Sequence, residues 1–341
     1  MPTDPWSDRP AAPAGWEPGA RPRRRSVLVA VLGTTLLSAC GVRWEDVRLD
    51  DRPTPTPPRL SADDLARFAA VDTVRALQLL AETVALDPAA ESARLAAQQH
   101  ARQLEQLGPL PGPVPSPSST PSGWPVPSTE ATQTAAPVTT ATLAEAESAA
   151  AASLVTAALG SGSAEVSGPL ARLLSSLAAS CAAHARLLGA APPAVEVSAE
   201  PPVGPAPATA DLLALVEAER AAAYAYGVLA VALSDGARTR GRAALSHHRR
   251  RSAMLAELAA GAGVEMPPAQ PAYAVARPAD QPEAVALAHQ LELDVATAAG
   301  ALVAASTGAW RAQAAHALVE ATVAAAAWGP PPTFPGAPDL S

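Results

Sequence analysis

Apolar residues recur at three- and four-residue steps through eight stretches of the chain, roughly 61–86, 89–107, 141–159, 167–188, 210–233, 236–260, 282–305 and 308–328. That is the period of an amphipathic helix. Asp87-Pro88, Ser234-Asp235-Gly236 and Thr307-Gly308 interrupt the pattern with residues that stop or start helices. The apolar positions are mostly Ala and Leu, with few β-branched residues, which favours helix over strand. An all-α fold is expected.

The connections between stretches sort them into two sets of four. The first and second helices of each set are joined tightly, as are the third and fourth, while a long segment joins the second to the third, at 108–140 and at 261–281. One long crossover between two helical hairpins is the connectivity of ferritin-like bundles. Two tandem four-helix bundles are therefore expected, at 61–188 with a Pro-rich insert at 108–140, and at 210–337, separated by a linker at 189–209. The insert and the linker are Pro, Ser, Thr and Ala tracts that cannot bury a core. "LAEAESAAAAS" (143–153) parallels "LVEAERAAAYA" (215–225), which points to a duplication.

Charge and the N-terminus change the picture next. A formal net charge of -8 excludes an electrostatic footprint for nucleic acid. "RPRRRSVLVAVLGTTLLSACG" (21–41) has a basic start, an apolar stretch and a small-residue cleavage site, the parts of a secretory signal. Its end, Leu37-Ser38-Ala39-Cys40, resembles the bacterial lipobox, which implies a signal peptide over 1–39 and a diacylglycerol-bearing Cys40 as first mature residue. Arg24-Arg25 leaves the twin-arginine and general secretory routes both open. Residues 40–60 read as a Pro-rich tether, placing the protein on the outer face of the cell membrane with the membrane as its partner. Cys181 is then the sole remaining cysteine, expected as a small buried apolar residue.

Several polar residues fall on the apolar stripes. Leu212, Leu215, Glu219, Ala222, Tyr226, Leu229 and Leu233 form one seam, so Glu219 and Tyr226 point inward together, and Glu217 faces water. The same exercise turns His248, Glu292 and His316 inward, with Glu320 bordering its stripe. In the first set, Asp72, His100, Glu147 and His184 form the corresponding inward group. Arg249, Arg250 and Arg251 read as a solvated face.

The stretches "EAERAAAYAYG" (217–227), "SHHRRRSAMLAELAAGAG" (246–263), "QPAYAVARP" (270–278), "LELDVATAAGALVAA" (291–305) and "WGPPPTFPG" (328–336) resemble the ferritin-like domain-of-unknown-function family of actinobacterial lipoproteins. The resemblance implies a four-helix fold and no established activity. Di-metal bundles need Glu-x-x-His on two helices. Here Leu245, Ala97, Cys181 and Gln313 stand three residues before the four inward histidines. Two readings follow. Each acid set either holds a single Fe, Mn or Zn ion, as in a degenerate oxidoreductase, or pairs with the facing His and Tyr in a structural or binding module.

Overall fold

The computed structural model describes residues 60–88, 90–109, 138–160, 165–191, 207 and 209–340. The expected signal peptide, Cys40 and all of the tether but Leu60 lie outside these residues, as does most of the insert and of the linker. The described fold is all-α: α1 (Ala62–Val84), α2 (Glu91–Leu107), α3 (Thr140–Leu159), α4 (Gly168–Leu187), α5 (Thr209–Leu229), α6 (Asp235–Gly261), α7 (Gln281–Ala305) and α8 (Gly308–Ala325). Local chemistry fixes several starts. The Ser61 side chain accepts from the Asp64 amide while the Asp64 carboxylate accepts from the Ser61 amide, a reciprocal cap. Thr139 caps α3 and Asp280 caps α7 in the same way, from one side. None of the described helices is long and apolar enough to cross a membrane.

The helices pair as the loop lengths require: α1 on α2, α3 on α4, α5 on α6 and α7 on α8, with α1 also against α3, α2 against α4 and α5 against α7. These are the neighbours of a bundle with one long crossover. The two halves are also joined, because α4 packs on both α7 and α8 and a single apolar core runs through Leu174, Leu177, Val295, Leu302 and Leu318. Clasped on all sides, α4 is buried almost continuously from Leu170 to Ala185. Small residues make that possible. A Cβ on Gly168 would lie 2.1 Å from the Ala304 carbonyl oxygen of α7. Buried Arg311 at the start of α8 donates to the carbonyls of Ser306 in its own half and Val166 in the other, at 2.7 and 2.8 Å.

The chain beyond α8 does more than end the second bundle. It crosses to the first, where Gln99 of α2 donates to the Pro331 carbonyl (2.8 Å), Gln103 to that of Thr333 (3.0 Å) and Arg172 of α4 to that of Gly336 (2.9 Å). Gly336 sits at φ +74° and Gly300 of α7 faces it so closely that a Cβ on Gly300 would be 2.1 Å from its oxygen.

One helix is turned differently from its expected face. Asp72 is exposed, as are Leu65 and Leu79, which share its stripe. The buried face of α1 is Ala70, Val71, Val74, Leu77, Ala81 and Val84. Small side chains allow close packing against α2 and α3, and this outweighs the larger area that the two leucines would bury on the other side.

Gly300→Ala and Gly168→Ala should each lower the unfolding free energy by about 1–3 kcal/mol through overpacking against backbone. Gly227→Ala is the contrast, since its Cβ would meet only the Leu245 side chain, at 3.6 Å. It should raise stability by about 0.5–1 kcal/mol through helix propensity. Urea unfolding of the three variants measures both effects.

Candidate functional site

In the C-terminal half the inward residues meet around one imidazole. His248 of α6 lies between two carboxylates, with Nδ1 2.6 Å from Glu219 Oε2 of α5 and Nε2 3.2 Å from Glu292 Oε1 of α7. Tyr226, two turns beyond Glu219, donates its hydroxyl to Glu292 Oε1 at 2.6 Å and stacks its ring on His248 at 5.5 Å. Glu219, Tyr226, His248 and Glu292 are each no more than 2% exposed. Arg251 completes the group. Placed one turn after His248 on the same face, it is buried rather than solvated, with Nε 3.2 Å from Glu219 Oε1 and its guanidinium also paired with Glu320 of α8. His316, half-buried, faces that guanidinium at 3.4 Å. Glu217 is half-buried, accepting from Arg220 at 2.6 Å and from the Tyr273 hydroxyl at 3.0 Å.

Electrostatics decide the protonation of these groups. Burial alone would push His248 down, but the hydrogen bonds to Glu219 and Glu292 outweigh it and hold the imidazole at about 9. It is an imidazolium at neutral pH. Burial pushes the Tyr226 phenol well up, with the Glu292 charge adding to the effect, so it stays a donor. Burial, then the Arg251 charge, pushes His316 down to about 4.

A metal does not fit this arrangement of donors. Both nitrogens of His248 face carboxylates, and the Arg251 cation occupies the space between Glu219 and Glu320 where an ion would have to neutralise them. The acids are instead compensated by protein cations, as buried charges must be by some means. Next to the cluster is an open cavity of about 670 Å³ between α6 and α8, with His247, His248, Arg250, Glu292, Val319, Glu320, Val323 and Trp328 in its walls.

The N-terminal half has its own polar centre. His100 Nε2 of α2 is 2.7 Å from Glu147 Oε1 of α3, and His184 Nδ1 of α4 is 3.4 Å from the same oxygen. The two rings meet edge to face at 5.2 Å. Burial would raise Glu147, but the His100 and His184 hydrogen bonds outweigh it and hold the carboxyl at about 2. Asp72, expected with this group, points to solvent. Gln99 and Gln103 take part unforeseen, accepting from His184 Nε2 at 3.0 Å and His100 Nδ1 at 2.8 Å. Their positions beside and one turn after His100 on α2 were the available signal, as was the three-residue spacing of His248 and Arg251 on α6.

The molecule is thus a pair of fused helical bundles, each with a buried acid and histidine centre. Residues 211–339 match the family described as a domain of unknown function, DUF4439. The crystal structure of a conserved hypothetical protein, rv2844, from Mycobacterium tuberculosis is similar, with 31% identity over 35% of this chain and 92% of that one and a TM-score of 0.34. No curated protein matches the chain.

His248 and His316 should give opposite pH dependences. The folded pKa of His248 is raised, so its stabilisation is complete below about 6.5 and is lost as pH rises through about 9. At about 1.4 kcal/mol per pKa unit the loss is on the order of 3 kcal/mol. The folded pKa of His316 is lowered, so its contribution is present above about 6.5 and is lost as pH falls through about 4. Unfolding free energy followed from pH 4 to pH 9.5 should therefore decline on both sides of neutrality. His248→Gln should flatten only the alkaline limb.

Removing the Arg251 charge tests the pairing itself. Arg251→Met should cost about 3–5 kcal/mol by leaving the buried Glu219 and Glu292 with the His248 imidazolium as their one shared cation. A loss under about 1 kcal/mol in urea unfolding would mean that the carboxylate finds its compensation elsewhere.

Proposed function

We propose that the chain is an exported lipoprotein of the actinobacterial kind, held at the outer face of the cytoplasmic membrane by lipid on Cys40, and that its C-terminal bundle is a binding module. The ligand class is a small apolar molecule carrying an acidic group. The observation that carries this reading is the open cavity between α6 and α8. Val319, Val323, Ala324 and Trp328 supply apolar wall, and Trp328 is fixed by the Arg240 guanidinium 4.9 Å above its ring. Among the charged lining groups Arg240, Arg250 and the His248 imidazolium outnumber Glu292 and Glu320. An apolar enclosure with a few convergent polar groups is the usual form of a small-molecule site. Binding rather than redox chemistry is favoured here because the neighbouring acids are already neutralised by Arg251 and His248.

Anilinonaphthalene sulfonate, which joins aromatic rings to a sulfonate, is a direct probe. It should bind the folded protein at one saturable site, and Val323→Trp, which fills the cavity while leaving the charged cluster in place, should weaken that binding at least tenfold. Equal binding by a folded Val323→Trp variant would remove the cavity from consideration. Anchoring is tested separately. Mass spectrometry of the membrane fraction should find a mature N-terminus at Cys40 bearing diacylglycerol, and Cys40→Ser should abolish that species.

A further inference from the structure

The N-terminal centre differs from the C-terminal one in its outer partners. Carbonyl oxygens only accept hydrogen bonds, so the Pro331 and Thr333 carbonyls fix the carboxamide groups of Gln99 and Gln103 with nitrogen towards the tail. The carboxamide oxygens must then face the imidazoles. His184 Nε2 and His100 Nδ1 are consequently N–H donors, to Gln99 and Gln103. This leaves His184 Nδ1 and His100 Nε2, the two nitrogens turned towards Glu147, as the positions that can present lone pairs.

An imidazole whose far N–H is held by a fixed acceptor, with its near nitrogen free to bond, is the arrangement found around metal-ligating histidines. Three further observations agree. The donor atoms of His100, Glu147 and His184 lie within 4.8 Å of one another and come from three different helices. All three residues are at most 1% exposed, and no Arg among the described residues pairs with Glu147 as Arg251 does with Glu219 in the other half. Glu147 Oε2 and His184 Nδ1 make no hydrogen bond of normal geometry, and beyond the two histidines the carboxylate has only the weak thiol donor of buried Cys181 beside it.

We infer that His100 Nε2, His184 Nδ1 and the Glu147 carboxylate form a site for one divalent first-row transition ion. Two imidazoles and a carboxylate suit zinc among others. Bonds of about 2.0–2.1 Å place tetrahedral donors about 3.3 Å apart. The His184 to Glu147 spacing of 3.4 Å already meets this, and the 2.7 Å spacing from His100 must open by about 0.6 Å. On binding, the proton shared by His100 and Glu147 leaves to solvent and the ion takes its place. Burial makes loading part of folding, so the ion enters before the tail closes over α2.

The test uses the full chain, untagged, with Cys40→Ser to keep that thiol out of the titration. Refolding from urea with Co²⁺ should give visible d–d absorption that saturates at one equivalent and is displaced by Zn²⁺. Refolding with Zn²⁺ should raise the unfolding midpoint relative to chelator-treated protein. His184→Gln and Glu147→Gln should each weaken uptake at least tenfold, while His248→Gln should leave it unchanged. Wild-type protein that refolds to native helicity and takes up less than a tenth of an equivalent of Co²⁺ overturns the inference, whatever the variants do. So does one equivalent retained by His184→Gln.

Discussion

A carboxylate cannot lie in an alanine-lined interior without a counter-charge or donors, and among the described residues this protein buries three of them: Glu147, Glu219 and Glu292. Isolated, each would cost several kcal/mol and would tend to neutralise. The helices bearing these acids are therefore constrained in rotation and depth by the groups that answer them. His248 must stand level with both Glu219 and Glu292, and its 2.6 and 3.2 Å contacts lock α5, α6 and α7 together. In a core of small side chains, where interdigitation specifies little, such polar contacts give the packing its register.

The two halves meet this demand in different ways. The C-terminal half brings in a second cation, Arg251, and fills its centre with protein charge. The N-terminal half brings in two carboxamides, which orient imidazoles without neutralising anything. Two similar sets of acids and histidines thus give one centre that is electrostatically closed and one that keeps a donor set. The difference rests on a few residues beside the histidines: Arg251 in one half, Gln99 and Gln103 in the other.

Much of this could be read along the chain, for physical reasons. The inward direction of Glu219, Tyr226, His248 and Glu292 follows from periodicity because Leu212, Leu215, Leu229 and Leu233 define their seam strongly. Asp72 was misplaced because α1 buries Ala and Val while exposing Leu65 and Leu79, so hydrophobic area pointed to the wrong face. Arg251 was hidden in a run of three arginines, where charge density suggests solvent. The roles of Gln99 and Gln103 depend on carbonyls more than 200 residues away, which no local pattern encodes. The union of the halves through α4 was likewise invisible, since a helix rich in Ala and Ser reads the same whether it has two neighbours or four.

The crossing of the C-terminal tail has a consequence for the order of assembly. Gln99, Gln103 and Arg172 find their carbonyl partners only in residues 331–336, so α1 to α4 can emerge from the ribosome and collapse yet still lack the acceptors that set the two glutamines. Contacts of such sequence separation form late and slow folding. A truncation that removes residues 330–341 would leave α1 to α8 intact and yet disturb the half of the molecule encoded first. Residues 331–336 thus act as a completeness check on the N-terminal bundle, and α2 settles into its final hydrogen bonds only once they have been made.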